Sequence, residues 1–422
     1  MATFSKLANS KRDLVDSAYL VLLQGVNQFL PLVIMPYLLF VLQPEGYGHV
    51  GFAFSFVQYF TLIVDFGFNL SATKRISQSK DNIAERSRIF WATLFAKVIL
   101  LLLSTILLAS FVFFSPTCRF YSHSIWATWP MVLGTAFTSM WFFQGMGIVR
   151  LFSILNTVSK VVFLPLIFFL VKTPSDYVMA AFLQSIVFVS TAVVSNAFLA
   201  KKHLVNWVRV KMEDVKREVE ISFPLFLSTA STSVYTQLFI VIVGFYCSNE
   251  VVGLYSAADR IVRALVFFLY VPLMQVFFPS ISALANNKRN QAEAKFAQLR
   301  SLILVVMLLL CLSIFFGAPF VPMALGQNYE GTVGYMRMLC ILPLLIGIGG
   351  VYGQCGLVAL GNDKSVHAFR NVYIVVAILS VLTVLLVAPI AGAVGVCLMA
   401  VFSEALVAIL MFYQFKRNRV IC

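Results

Sequence analysis

Eight charged side chains fall well within long apolar runs of this sequence: Lys97, Lys160, Arg260, Arg263 and Arg337 are basic, and Asp65, Asp259 and Glu404 are acidic. A charge at the centre of a bilayer costs roughly 2.5–3.5 kcal/mol on insertion scales, so such residues face a bundle interior or a wet cavity. Five cations against three anions leave a local sum of +2, which suits an anionic ligand. Arginine presents a planar fork that grips phosphate oxygens in pairs, and lysine adds a mobile point charge. The carboxylates offer a different chemistry. Asp65, Asp259 and Glu404 are candidate carriers of a proton or sodium ion, or partners of a cavity lysine.

Spacing sharpens these roles. Arg260 and Arg263 are three apart and share a helix face. Asp259 is four before Arg263, which makes an intrahelical ion pair available and leaves Arg260 without a neighbour of opposite sign. Lys97 and Lys160 sit roughly 12 Å in from the basic ends of their runs at helical rise. Neither run holds an acid, so each lysine lines a cavity or snorkels to the headgroups. Arg337 is near the end of its run and has the same choice. Glu404 lies mid-run with no basic residue one turn away.

The elements that must hold these groups are helices. The 422 residues are 60% hydrophobic and 11% charged, where a soluble domain carries about 25% charge. Apolar runs cover 14–41, 47–70, 89–114, 125–145, 152–171, 177–199, 221–246, 252–279, 299–324, 332–358, 368–388 and 394–414. Each is long enough to cross a bilayer. The expected fold is therefore all-α, with about twelve transmembrane helices. The first run leads straight into a second, so no cleavable signal peptide is expected. Glu45-Gly-Tyr-Gly48 and Glu250-Val-Val-Gly253 each open the second helix of a six-helix half. Halves with an even number of helices insert the same way, which predicts a parallel repeat. The expected division is a lobe over 1–200, a basic linker over 201–220 and a lobe over 221–422. Pro31, Pro36, Pro272, Pro279 and Pro343 predict bends.

Net charge is +14, and its distribution sets orientation rather than nucleic-acid binding. With the N-terminus inside, 24 of the 31 Lys and Arg fall in cytoplasmic segments, and only Arg119 and Lys172 fall in periplasmic ones. That asymmetry places both termini in the cytoplasm. The outward loops are all short. No GxxxxGK[ST], HExxH or CxxC is present, so no nucleotide hydrolysis, metal site or redox pair is expected, and no cofactor. Gly347-Ile-Gly-Gly350 lies within an apolar run, where it signals close helix packing or a helix break.

Several stretches resemble the Wzx-type O-antigen flippases: Asp65-Phe-Gly-Phe-Asn-Leu-Ser-Ala-Thr-Lys-Arg75, Phe90-Trp91 with Lys97, Trp141-Phe-Phe-Gln-Gly145, and Gly253-Leu-Tyr-Ser-Ala-Ala-Asp-Arg260 followed by Pro272, Gln275 and Phe278-Pro279. The resemblance runs over essentially the whole chain. It implies two six-helix lobes like those of multidrug/oligosaccharidyl-lipid/polysaccharide (MATE-like) exporters. It also implies a substrate, an undecaprenyl-pyrophosphate-linked oligosaccharide moved from the cytoplasmic to the periplasmic leaflet of the inner membrane. Association with an O-antigen polymerase and a chain-length regulator is implied too.

In that setting Arg260, Arg263, Lys97, Lys160 and Arg337 would hold pyrophosphate, and Asp65, Asp259 or Glu404 would couple the cycle to H+ or Na+. Two rival classes remain. A membrane glycosyltransferase, such as an O-antigen polymerase or ligase, calls for a large periplasmic loop, and none is present. A drug/cation antiporter of the same fold calls for an acidic cavity, whereas the sum here is positive.

Overall fold

In hydrocarbon, backbone N–H and C=O groups find no water, so a spanning chain must close its hydrogen bonds within a helix. The computed structural model describes residues 2–285 and 288–419, with side chains from 33 to 417 apart from 228, 231–236, 286, 287 and 363. Lys6, Lys11, Arg12, Pro31, Arg419 and Cys422 lie outside the residues whose side chains are described. No strand occurs among the described residues.

Among the described residues, eight helical segments are long and apolar enough to span. They account for nine of the twelve expected crossings, because Lys364–Arg417 carries two, broken at Gly392 (φ 53°, ψ −141°). Another of them, Val33–Gln78, carries the second crossing, which begins past the non-helical Gln43 (φ 55°). The first run falls in Ala2–Asp65 ahead of that break, and the seventh in Met212–Tyr246. The fourth departs from a single helix: it is built from Ser122–Thr128, Pro130–Phe137 and Met140–Met146. The glycine-rich tenth run continues from Leu342–Gly350 into a π-helix over Val351–Ala359. Cys118 and Cys247 are both free thiols.

The chain forms two compact units, Met1–Leu42 with Phe56–Thr229, and Gln43–Ser55 with Ala230–Cys422. In the first, the basic stretch after residue 200 folds back on the chain around Arg75–Trp91. Arg88 meets Asp214 at 2.6 Å, Arg75 bonds Glu218, and Arg86 Nε donates to the Leu204 carbonyl at 3.0 Å. Burial pushes the Asp214 carboxyl up, but hydrogen bonds from Arg88 and the Lys211 N–H bring it below its ordinary range.

In the second unit the repeated motifs meet each other. A Cβ on Gly253 would lie 1.8 Å from the Pro44 carbonyl oxygen, and one on Gly48 would lie 2.3 Å from the Asn249 carbonyl oxygen. A Cβ on Gly51 would lie 2.6 Å from Ser256 Oγ. Pro44 pairs with Asn249, Gly48 with Gly253 and Gly51 with Ser256 at one constant offset along the chain. The contact is therefore reciprocal, as a local two-fold requires.

Candidate functional site

In the first unit the helix Ala2–Asp65 stops where Phe66 (φ 43°) and Gly67 (φ 76°) turn left-handed, and Phe68–Gln78 follows. Glycine is required at 67 on two counts: its φ, and a would-be Cβ only 2.8 Å from the Phe226 nitrogen. The stop leaves Asp65 at a helix C-terminus, where the dipole disfavours a carboxylate. Asn69 Nδ2 offsets this with bonds of 2.8 and 2.9 Å to its two oxygens. Lys97, only 1% exposed, brings Nζ to 3.7 Å from Asp65 Oδ1 and donates to the Thr135 carbonyl at 3.0 Å. That carbonyl is available because the chain leaves the helix at Thr138–Ser139, so the N–H of Ser139 does not close on it.

Lys160 lines the same cavity of about 250 Å³, together with Asp65, Asn69, Lys97, Asn156 and Thr191. Asn156 is one turn before Lys160, and Thr191 Oγ1 donates to its Oδ1 at 3.3 Å. Two lysines, one carboxylate, amides and hydroxyls line it beside the apolar Met140, Phe152, Val187 and Phe188, and with both lysines protonated its net charge is +1.

In the second unit Arg263 Nε donates to both oxygens of the buried Asp259, at 2.8 and 3.0 Å. The pairing expected from the four-residue spacing is present. Glu404, buried on Asp363–Arg419, lies close enough to interact electrostatically with both Arg263 and Asp259. Arg263 and Glu404 line a cavity of about 180 Å³ with Tyr270, Gln354 and Tyr373. The buried Tyr255 hydroxyl has no hydrogen-bond partner among the described residues and sits within electrostatic reach of Asp259. Two carboxylates around one guanidinium sum to −1, and one bound proton brings the cluster to neutrality.

Arg260 behaves differently. Its Nη1 donates to the Tyr47 hydroxyl at 3.3 Å, and its guanidinium carbon lies 5.5 Å from the Tyr47 ring centroid and 5.9 Å from that of Phe54. Among the described residues no carboxylate is within ion-pair distance of Arg260. The rings hold the cation over their negative faces without neutralising it.

The structure thus brings Asp65, Lys97 and Lys160 together in one unit, and Asp259, Arg263 and Glu404 in the other. Arg260 rests on two aromatic rings. Arg337 stands apart: it is exposed on Glu330–Leu339 and covers the Phe315 ring at 5.3 Å. Sequence reasoning missed Asn69, Asn156, Thr191, Tyr47 and Tyr255. Two of these carried a signal, since Asn69 is four after Asp65 and Asn156 is four before Lys160.

The profile of a family described as "Polysaccharide biosynthesis protein" matches residues 14–285. The chain is 28% identical over 413 residues to a "Putative O-antigen transporter" of Escherichia coli (strain K12), covering 96% of each chain. It is 29% identical over 406 residues to a protein of the same description from Shigella dysenteriae, covering 94% of this chain and 98% of the relative. Among solved structures it resembles an inward-facing multidrug resistance MATE family transporter of the MOP superfamily, with TM-score 0.72, 16% identity, and coverage of 93% and 95%. It resembles the lipid II flippase MurJ in an inward closed conformation equally, at TM-score 0.72 and 13% identity, covering 96% of this chain and 87% of that one. The fold is therefore MATE-like, and its long apolar helices mark the chain as a multi-pass membrane protein.

Proposed function

Because this chain belongs to the polysaccharide biosynthesis protein family, we propose that it is a flippase carrying an undecaprenyl-pyrophosphate-linked O-antigen oligosaccharide from the cytoplasmic to the periplasmic leaflet of the bacterial inner membrane. The observation that supports this most directly is Arg260, a cation on a span that is stacked on Tyr47 and Phe54 with no paired carboxylate among the described residues. A half-buried guanidinium without a counterion favours an anionic ligand and selects against a cationic drug. Lys97 and Lys160 add positive charge beside amides and hydroxyls that suit sugar hydroxyls.

With no P-loop motif in the sequence, work comes from alternating access of two lobes, 1–200 and 221–422, joined by the basic linker 201–220. Both termini lie in the cytoplasm on this reading, as the charge split supports. The drive is a proton gradient acting through the Asp259–Arg263–Glu404 cluster, or the membrane potential, worth roughly 2.3 kcal/mol per charge per 100 mV. A polymerase and a chain-length regulator are the natural partners of such a step.

The test is reconstitution into liposomes. Translocation of a fluorescent undecaprenyl-pyrophosphate glycan, with no movement of the same lipid lacking its pyrophosphate, is the expected result. Export of a cationic dye without glycan movement would establish the antiporter instead, and glycan polymerisation would establish a transferase.

A further inference from the structure

A groove of about 150 Å³ lies outside both charged clusters, at the ends of the helices Arg289–Gly317 and Asp363–Arg419, and none of its residues serves the transport reading. Its wall carries Arg289 and Arg300, the carboxylate of Glu293, the hydroxyl of Ser365, and the apolar faces of Leu360 and Phe415. Arg289 and Arg300 are three turns apart on one helix face, about 16 Å along its axis. Arg289 Nε lies 3.5 Å from Glu293 Oε1, so its charge is matched. Ser365 Oγ is engaged with Asn362 Oδ1 at 3.1 Å. Arg300 has no carboxylate within ion-pair distance among the described residues. The groove therefore keeps one net positive charge, located at Arg300.

Arg300 is the second residue of the apolar run 299–324, so the start of the run puts it at headgroup depth, with Arg289 three turns further out along the helix. A guanidinium at that depth beside an aromatic ring and a leucine matches one anionic phosphodiester with an acyl chain attached. A soluble phosphate would gain nothing from Leu360 and Phe415. We propose that this groove seats an anionic phospholipid, its headgroup phosphate on Arg300 and an acyl chain along Leu360 and Phe415. That the lipid belongs to the cytoplasmic leaflet rests on the orientation proposed above; the groove itself does not.

The test uses the full chain in nanodiscs of phosphatidylcholine with phosphatidylglycerol added, and native mass spectrometry counts the lipid retained. The parent is expected to prefer phosphatidylglycerol, and Arg300→Gln to weaken that preference about tenfold, the loss of one charge-assisted contact. Arg370→Gln, an exposed cation outside the groove, should keep the preference. Equal retention by the parent, Arg300→Gln and Arg289→Gln would overturn the proposal. So would inorganic phosphate displacing the lipid at equal concentration, which would make this a site for free phosphate. Nanodiscs expose both faces and no glycan is present, so the outcome is independent of orientation and of the flippase reading.

Discussion

Lys97 Nζ and Asp65 Oδ1 are 3.7 Å apart although they come from different helices, and the lysine side chain is only 2% exposed. A buried ammonium tolerates its place through that carboxylate and the Thr135 carbonyl. Removing one partner of a buried pair typically costs 3–5 kcal/mol. Asp65 is 24% exposed, so Asp65→Asn is expected to lose about 3 kcal/mol, the low end of that range. Lys97→Met removes the charge along with its need for a partner and should cost about 1 kcal/mol. Thermal unfolding in detergent of both single variants and the double checks this. If the double variant loses the sum of the two single losses, the two side chains are not coupled. Lys97→Ala should insert normally yet fail to flip substrate.

Arg260→Ala removes the stacked cation without breaking an ion pair, so folding should be spared. Loss of a charge-assisted phosphate contact costs about 1.5–3 kcal/mol, or about tenfold to a hundredfold in transport at limiting substrate. Arg260→Lys keeps the charge but loses the fork and should recover only part. Initial flipping rates at matched expression decide it, and full activity in Arg260→Ala would assign the side chain a purely structural role.

Two glycines in different surroundings predict opposite effects from one chemical change. Gly253→Ala drives a methyl into the Pro44 carbonyl, backbone that has no rotamer to yield, and should cost about 2 kcal/mol or more. Gly334, on the helix Glu330–Leu339, has nothing within 4 Å of its would-be Cβ. Gly334→Ala should therefore be neutral or stabilise by about 0.5–1 kcal/mol through helix propensity. Melting temperatures of the two variants in one detergent separate them, and equal shifts would contradict the packing argument.

What was legible in the sequence divides by range. Composition and run length gave the helices, because a bilayer dictates both. The Asp259–Arg263 pair was legible because four residues in a helix are neighbours. The Glu45–Gly48 and Glu250–Gly253 repeat was visible, but not that its two copies would touch. Lys97 read as an acid-free lysine because its partner, Asp65, arrives from a separate helix that stops at a left-handed turn. Glu404 read as a lone carboxylate for the same reason, since Arg263 faces it from far away in sequence. The break at Thr138–Ser139 lay inside an apolar run, and hydropathy does not register a backbone that leaves the helix.

Topology is checked by single cysteines in intact cells. The 24-to-2 charge split predicts that the 201–220 linker and Cys422 are inside, with Glu45, Ser122 and Asn249 outside. Arg209→Cys, at an exposed linker position, should resist an impermeant maleimide until the cells are opened. Glu45→Cys should label at once. Labelling of Arg209→Cys from outside would invert the orientation.

Coupling is expected to run through Glu404. Asp259 gives both carboxylate oxygens to Arg263 Nε, so its charge is committed, whereas Glu404 faces the same guanidinium from another helix across a small cavity. With both acids ionised the cluster is −1, which leaves room for one positive charge. A sodium ion there would sit against the Arg263 guanidinium and be repelled by it, while a proton bonds to Glu404 and neutralises the cluster without approaching Arg263. Glu404→Gln mimics the protonated form and should arrest the cycle, so flipping no longer responds to an imposed pH gradient. Asp259→Asn leaves Arg263 with one carboxylate and should mainly weaken substrate affinity, with the response to pH kept. Proteoliposomes given a pH gradient or a sodium gradient distinguish these outcomes. If Glu404→Gln answers both gradients as the parent does, Glu404 is not the coupling residue and Asp65, beside Lys97, takes its place.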